Sequence, residues 1–184
     1  MNTPLTILGV CGSLRKGSFN HMALVAAQKL VPPDAKIEIT DLHGIPPFNQ
    51  DDEANPADAV VEFKKLIRGA DAILFATPEY NYGVPGVLKN AIDAASRPYG
   101  DSAWNDKPAA ILSASGGVLG GARAQYHLRQ SFIFLNMHPV NGPEVMIAKA
   151  HERFDANGNL MDEAGKKLIA QLLQNLVEWT RRLK

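Results

Sequence analysis

The residues at positions 12–20, GSLRKGSFN, supply many hydrogen-bond donors within one short segment. They follow an apolar run, LTILGV, and precede a helical pattern. Glycine exposes backbone N–H groups, serine adds hydroxyl groups, and Arg15 adds a guanidinium group. At the start of a helix, this combination binds a terminal phosphate. The alternative is a glycine-rich turn in which a serine only caps the helix.

The spacing of Gly12 and Gly17 resembles the GxxxxGK[ST] loop of nucleoside-triphosphate hydrolases. However, Ser18 stands where that loop has its lysine, and Phe19 stands where it has the hydroxyl that binds magnesium. Without these two groups, hydrolysis loses its main charge stabilisation and its metal anchor. The segment therefore predicts a phosphate that is held rather than broken.

A second segment, TPEYNYGVPG at residues 77–86, offers flat faces and polar edges. Tyr80 and Tyr82 provide aromatic rings, Glu79 and Asn81 provide polar groups, and two prolines stiffen the backbone. A planar heteroaromatic ring with a polar rim would fit such a loop. The alternative is an ordinary proline turn whose tyrosines lie in the core.

A third segment, SASGGVLGG at residues 113–121, places Ser115 and four glycines after an apolar strand pattern. Glycine has no side chain, so the backbone can approach a ligand closely. Ser115 can form a hydrogen bond with the edge of a ring. The alternative is a flexible connection between a strand and a helix.

Five strand patterns alternate with five helical patterns along the chain. The second helix is predicted to begin with Asn55 as N-cap and Pro56 in its first position, and to run to Gly69. The segment HPVNGPEVMIA is predicted to contain the last strand. Residues 1–184 are therefore predicted to form one α/β domain around a parallel sheet. The strand-to-helix loops of such a sheet meet at its carboxyl edge.

The composition argues against several classes of partner. Lysine plus arginine and aspartate plus glutamate number 19 each, so the net charge is zero, whereas nucleic-acid-binding proteins usually carry a basic surplus. The single cysteine, Cys11, cannot form an intrachain disulfide and suits a reducing cytosol. No apolar run approaches the ~18 residues of a spanning helix, and the histidines lack metal-ligand spacing. We expect a cytoplasmic protein with no membrane, nucleic-acid or metal site.

The three segments together resemble the NADPH-dependent FMN reductase family, and within it the bacterial quinone and chromate reductase branch. The likeness lies in GSLRKGSFN, TPEYNYGVPGVLKNAIDAAS and SASGGVLGGARAQYHLRQ, which occur in the expected order and span much of the chain. The resemblance implies a flavodoxin-like three-layer sandwich with a five-stranded parallel sheet of strand order 2-1-3-4-5. It also implies FMN as a non-covalently bound cofactor.

The resemblance assigns the FMN phosphate to the first segment, the isoalloxazine ring to the second, and the pyrimidine side of the ring to the third. The implied contacts are Ser13, Arg15, Lys16, Gly17, Ser18, Phe19 and Asn20 for the phosphate, Pro78, Glu79, Tyr80, Asn81 and Tyr82 for the ring, and Ser115, Gly116 and Gly117 for the pyrimidine side. One departure is Gly83, where many relatives carry a serine. Its loss removes one hydroxyl group and leaves the ring contacts in place.

The resemblance also implies a reaction in two steps. NADPH or NADH docks over the exposed face of the ring and delivers hydride to N5, and an acceptor then occupies the same face, which gives ping-pong kinetics. Quinones are the expected acceptors, with chromate, azo compounds and other electrophiles as further ones. No side chain needs to act as an acid or base, so no catalytic residue is assigned. Relatives assemble as dimers or tetramers, which implies a homodimer or homotetramer.

Two other functions stay open at this point. A flavodoxin-type one-electron carrier would dock a protein partner instead of NAD(P)H, although such carriers tend to be strongly acidic. A phosphate-binding sensor module without flavin would stay colourless when mixed with FMN.

Four further residues are candidates for a surface role. Trp104 lies in a polar stretch and would either line a substrate mouth or a subunit interface, or anchor its loop in the core. Arg123 and Tyr126 lie one helical turn apart. They could hydrogen-bond an acid such as Glu144 at an interface.

Overall fold

The computed structural model describes residues 4–184, in which strands and helices alternate. The strands are β1 (Leu5–Cys11), β2 (Ala35–Thr40), β3 (Ala72–Ala76), β4 (Pro108–Ala114), β5 (His138–Pro139) and β6 (Val145–Ile147). The α-helices are α1 (Phe19–Leu30), α2 (Asp58–Gly69), α3 (Gly86–Ala95), α4 (Ala122–Phe134) and α5 (Glu163–Leu183). Short 3-10 helices cover Gln50–Asp52 and Ala150–Glu152.

The strands form one parallel sheet in the order β2-β1-β3-β4-β5, so the predicted flavodoxin-like order is confirmed. The fifth position differs from the prediction, because two short strands share it. Of these, β5 pairs with the beginning of β4, at Pro108 and Ala109, and β6 pairs with the end of β4. Pro143 lies between the two short strands and has no N–H to donate to a ladder, so it cannot take part in pairing there.

Two apolar layers cover the two faces of the sheet. On one face the buried core includes side chains of α1 and α5, such as Leu24 and Leu172. On the other face it includes side chains of α2, α3 and α4, such as Phe63, Ile92 and Phe132. Every residue of β3 and β4 is buried, which explains why these strands appear in the sequence as continuous apolar runs.

The start of α2 differs from the prediction. The helix begins at Asp58, after Ala57 as N-cap, and no side chain caps it. Asn55 instead belongs to a turn, where its backbone N–H donates to the carbonyl of Asp52 at 3.0 Å. The residue types at Asn55 and Pro56 are those of a helix start, but Asn55 is used in a turn, and the helix begins two residues later than predicted.

Trp104 is a core residue and does not lie at a surface. Its side chain is fully buried and packs against Phe63 and Phe75, with ring centroids 5.8 and 5.6 Å away. The indole Nε1 donates to the carbonyl of Ile92 at 3.0 Å. Of the roles predicted for Trp104, the structure therefore supports the anchor, and neither a substrate mouth nor a subunit interface.

A membrane-spanning helix must be both long and apolar, and this can be judged for the helices of residues 4–184. None of them combines the necessary length with the necessary apolarity, including α5, which has 21 residues.

Candidate functional site

Three loops meet at the carboxyl edge of the sheet, at residues 12–20, 77–86 and 115–121. They follow β1, β3 and β4, which are neighbours in the sheet. The Gly12 N–H donates to the carbonyl of Ala76 at 2.8 Å, and the Thr77 N–H donates to the carbonyl of Leu112 at 3.1 Å. We call these the first, second and third loops. Their position is the usual ligand site of an open α/β sheet.

The first loop presents unused backbone donors at the start of α1. Within residues 4–184, no acceptor is found for the backbone N–H groups of Ser13, Leu14, Lys16, Gly17, Phe19 and Asn20. Ser18 is the N-cap of α1, and its Oγ accepts from the His21 N–H at 3.3 Å. The cap alone therefore does not account for the loop. A set of converging N–H groups at a helix start suits a phosphate.

The cations of the first loop are available to a ligand. The Arg15 guanidinium lies 5.8 Å from the centre of the Phe19 ring, and no carboxylate of residues 4–184 pairs with it. Lys16 is also exposed. The Oγ of Ser13 accepts from the Arg15 N–H at 3.3 Å, so the hydroxyl hydrogen of Ser13 can still be donated. These groups fit the phosphate of FMN.

Asn20 has a different task from the one expected of its side chain. Its Nδ2 donates to the Ala114 carbonyl and its Oδ1 accepts from the Ala114 N–H, both at 2.9 Å. The side chain is 2% exposed. It therefore joins α1 to the end of β4, beside the third loop, and within residues 4–184 only the backbone N–H of Asn20 lacks a partner.

The second loop is a tight turn that holds its tyrosines outside the core. Tyr80 and Gly83 exchange backbone hydrogen bonds of 3.2 and 3.0 Å, and between them Asn81 and Tyr82 have φ of 50° and 68°. This is the geometry of a type I′ turn. Tyr80 is 52% exposed and Tyr82 is 67% exposed. The alternative in which these tyrosines pack in the core is therefore wrong.

Glu79 points away from the turn, towards α4. Its carboxylate accepts from the Arg123 Nε at 2.6 Å and from the Arg123 backbone N–H at 3.0 Å. Burial raises the pKa of Glu79, but the hydrogen bonds from Arg123 and Ala124 outweigh it, so the pKa is lowered overall. The carboxylate therefore stays ionised within the protein, and only the backbone of Glu79 remains available to a ring.

The pairing predicted among Arg123, Tyr126 and Glu144 is found only in part. The Tyr126 hydroxyl donates to Glu144 at 3.3 Å. Arg123 pairs with Glu79 instead. Sequence reasoning missed this ion pair, since the two residues lie 44 positions apart.

The third loop is held by its neighbours through backbone bonds. Ser115 donates to the Ile147 carbonyl at 3.0 Å and accepts from the Ala150 N–H at 2.9 Å, while Gly116 and Gly117 are exposed. At Gly121, φ is +92° and a Cβ would lie 2.8 Å from the Cβ of Ser113, so only glycine fits there. Backbone hydrogen bonds therefore hold the start of this loop, and close packing requires the glycine at its end.

Ser113 is a further residue that supports the third loop and that the sequence reasoning overlooked. Its hydroxyl donates to the Gly120 carbonyl at 2.6 Å and accepts from the Gln125 Nε2 at 2.7 Å. A polar side chain inside a fully buried strand was the available signal, because such groups need partners.

A cavity of about 350 Å³ lies elsewhere, between the loop before α2 and the segment after α3. None of its lining residues belongs to the three loops. Its buried lysine, Lys64, already pairs with Asp101, and its Arg97 pairs with Glu53. Both of these cations of the cavity are therefore already paired.

The parallel order 2-1-3-4-5, with a glycine-rich loop leading into α1 at its carboxyl edge, defines a flavodoxin-like protein. The model of the NADPH-dependent FMN reductase family matches residues 5–152. An NAD(P)H-dependent FMN reductase of Pseudomonas aeruginosa is 55% identical over the whole of both chains. A 2-hydroxy-1,4-benzoquinone reductase of a Burkholderia species is 41% identical, covering 96% of this chain and 97% of the relative.

Among solved structures, the flavoenzyme NAD(P)H:(acceptor) oxidoreductase FerB of Paracoccus denitrificans is similar, with a TM-score of 0.86 and 37% identity. The match covers 97% of this chain and 98% of FerB. The chain belongs to the NADPH-dependent FMN reductase family. It is an oxidoreductase that uses FMN, with NADPH or NADH as electron donor.

Proposed function

We propose that this protein transfers electrons from NAD(P)H to quinones through FMN bound non-covalently at the three loops. The observation that carries the proposal is that, within residues 4–184, several N–H groups of the first loop lack acceptors and Arg15 lacks a carboxylate partner, while the tyrosines of the second loop are exposed. The benzoquinone reductase relative supports a quinone as the acceptor. A phosphate nest beside an exposed aromatic turn suits a flavin mononucleotide better than a phosphate alone.

In this proposal, the first loop holds the phosphate through its backbone N–H groups, Arg15, and the hydroxyl hydrogens of Ser13 and Ser18. The second loop borders the ring with Tyr80, Tyr82 and the backbone between Pro78 and Asn81. The third loop meets the pyrimidine side of the ring with Ser115, Gly116 and Gly117. When bound, FMN supplies the capacity to accept a hydride and pass its electrons to an acceptor.

The protein's own contribution is to bind, orient and leave one face open. Because Tyr80 and Tyr82 are exposed, an electron donor and an acceptor can use the same face in turn, which predicts ping-pong kinetics. We assign no side chain as acid or base. Quinones are the primary proposed acceptors, and we include chromate and azo compounds among the electrophiles that an open face admits.

We further propose that residues 1–184 act as one domain in the cytoplasm. The reaction needs NAD(P)H, which is a metabolite of the cell interior. Cys11, the single cysteine, is buried and unpaired, in keeping with a reducing compartment.

The purified protein is expected to be yellow, or to become so when FMN is added, and to oxidise NADPH continuously with a benzoquinone. Initial rates at several concentrations of both substrates are expected to give parallel double-reciprocal lines. A flavodoxin-type carrier would bind FMN but turn over negligibly in this assay. A protein that stays colourless with FMN would instead be the phosphate-binding sensor, and the proposal would fail.

An exposed apolar patch, formed by the C-terminal part of α4 and Tyr99, supports the proposal that the protein is a homodimer or homotetramer. Ile133, Phe134 and Tyr99 are 84%, 75% and 74% exposed, and the last two rings contact each other edge to face. Aromatic side chains bury roughly 150–250 Å² each. Covering this patch would therefore provide a large share of the roughly 800 Å² per partner in a standard interface.

Phe134→Ser is expected to shift the protein towards a smaller species in sedimentation velocity, because it removes the centre of this patch. Val61→Ser is the matched control, since Val61 is an exposed apolar residue on α2. It is expected to leave the sedimentation coefficient unchanged. A parent protein that sediments as a monomer at tens of micromolar would contradict the proposed assembly.

A further inference from the structure

The turn of the second loop has a conformation that its own residues do not favour. Asn81 and Tyr82 both have positive φ, at 50° and 68°. The type I′ turn strongly prefers Asn-Gly at these two positions, and here a bulky tyrosine takes the place of the glycine. Such a conformation persists only where surrounding contacts enforce it, and it often marks a functional site.

The enforcing contact comes from α4. The guanidinium carbon of Arg123 lies 3.5 Å from the centre of the Tyr82 ring, which is the stacked geometry of a cation–π contact. Tyr82 nevertheless remains 67% exposed. Arg123 therefore contacts one face of the ring, and most of the remaining ring surface is open to a ligand.

Arg123 is in turn fixed by Glu79, which precedes the turn. The Glu79 side chain is 7% exposed, and it accepts from the Arg123 side chain and from the backbone N–H groups of Arg123 and Ala124, at 3.0 and 3.4 Å. The N-cap of α4 is Gly121, which has no side chain to cap the helix. Glu79 thus caps α4 from another loop while it orients the guanidinium.

Arg123, on α4, therefore contacts two residues of the second loop at once, Glu79 and Tyr82. The Arg123 guanidinium is neutralised by a buried carboxylate, so it is poorly suited to bind an anionic substrate. The guanidinium binds Glu79 through its N–H groups and stacks on Tyr82 through its flat face. A lysine could not make both contacts.

We propose that Glu79 and Arg123 are positioning residues for the substrate face, which they build by locking Tyr82 in its left-handed conformation. This inference rests on the proposed function, in which Tyr82 borders the flavin. Without the stack, Tyr82 relaxes towards negative φ, the turn opens, and the ring leaves the place where donor and acceptor dock. The two residues act on the reaction only through Tyr82.

The first test concerns the stacking of Arg123 on Tyr82 and needs no flavin. In the protein without FMN, NMR is expected to show the Arg123 Nε–H shifted upfield by the ring current of Tyr82. Tyr82→Leu is expected to abolish that shift, and Glu79→Gln is expected to speed exchange of the same proton with water. An Nε–H shift that is unchanged in Tyr82→Leu would overturn the proposal that Arg123 holds Tyr82.

The second test is a double-mutant cycle of Arg123→Gln and Tyr82→Leu, with kcat/KM for a benzoquinone and the visible circular dichroism of bound FMN as readouts. Each single variant is expected to lower kcat/KM by roughly ten- to a hundredfold, since small displacements at a reacting site cost that much. The double variant is expected to be within about threefold of the worse single variant, because both remove the same interaction. Effects that multiply would overturn the positioning role.

Two further variants separate geometry from charge and from general damage. Arg123→Lys keeps the charge and loses the flat stack, so it is expected to resemble Arg123→Gln; full activity in this variant would overturn the proposal. Arg181→Gln removes an exposed arginine that pairs with Asp34 on another surface, and it is expected to match the parent. If the parent itself neither binds FMN nor oxidises NAD(P)H, the proposed function fails, whereas an active parent with multiplicative effects refutes the positioning role alone.

Discussion

Trp104→Ala is expected to lower the free energy of unfolding by about 3–5 kcal/mol, the range measured for truncation of large buried aromatic side chains. Trp104 is fully buried and is the largest of the fully buried side chains. Its removal leaves a cavity between Phe63 and Phe75 and also leaves the Ile92 carbonyl without its indole donor. Both the packing loss and the unpaired carbonyl act in the same direction.

Urea unfolding followed by far-UV circular dichroism measures this change. Trp104→Phe is the matched variant, because it refills most of the cavity without restoring the hydrogen bond, and an intermediate loss is expected. FMN binding per folded molecule is expected to be retained, since Trp104 belongs to none of the three loops. A loss below about 1 kcal/mol for the alanine variant would contradict its role as a core anchor.

Arg15→Ala is expected to weaken FMN binding by roughly ten- to a hundredfold in Kd. This corresponds to about 1.5–3 kcal/mol for one hydrogen bond to a charged group. In the structure the guanidinium has no carboxylate partner within residues 4–184 and lies beside the unpaired N–H groups of the first loop. Because the proposed phosphate position is remote from the reacting part of the ring, turnover is expected to return at saturating FMN.

Quenching of FMN fluorescence on binding measures the Kd, and the loss is expected to shrink as salt rises, since the lost contact is between charges. Arg182→Ala is the control, because Arg182 is an exposed arginine near the end of α5. It is expected to bind FMN as the parent does. An unchanged Kd in Arg15→Ala would show that the first loop does not hold the phosphate.

Much of the architecture could be predicted from the sequence because its causes are local. Strands β1, β3 and β4 are apolar runs, as strands buried on both faces require, and each is followed by a helical stripe. The handedness of parallel connections then places their loops at one edge of the sheet. The Ser18 cap and the N–H groups around it that lack acceptors within residues 4–184 also depend on neighbouring residues in the chain. The location of the site therefore followed from patterns a few residues long.

The partner of each polar side chain was decided only by the tertiary structure. Asn20 could donate equally well to a phosphate or to a carbonyl, and it bonds to Ala114, 94 positions away, because α1 packs beside the end of β4. Glu79 could border a ring or pair with a cation, and it pairs with Arg123 because the N-terminus of α4 lies against its loop. Trp104 has polar neighbours in sequence but meets Phe63 and Phe75 in space. A hydrogen-bonding group or a ring carries the same capacity wherever it stands in the sequence, and only the packing of distant elements determines which partner comes within reach.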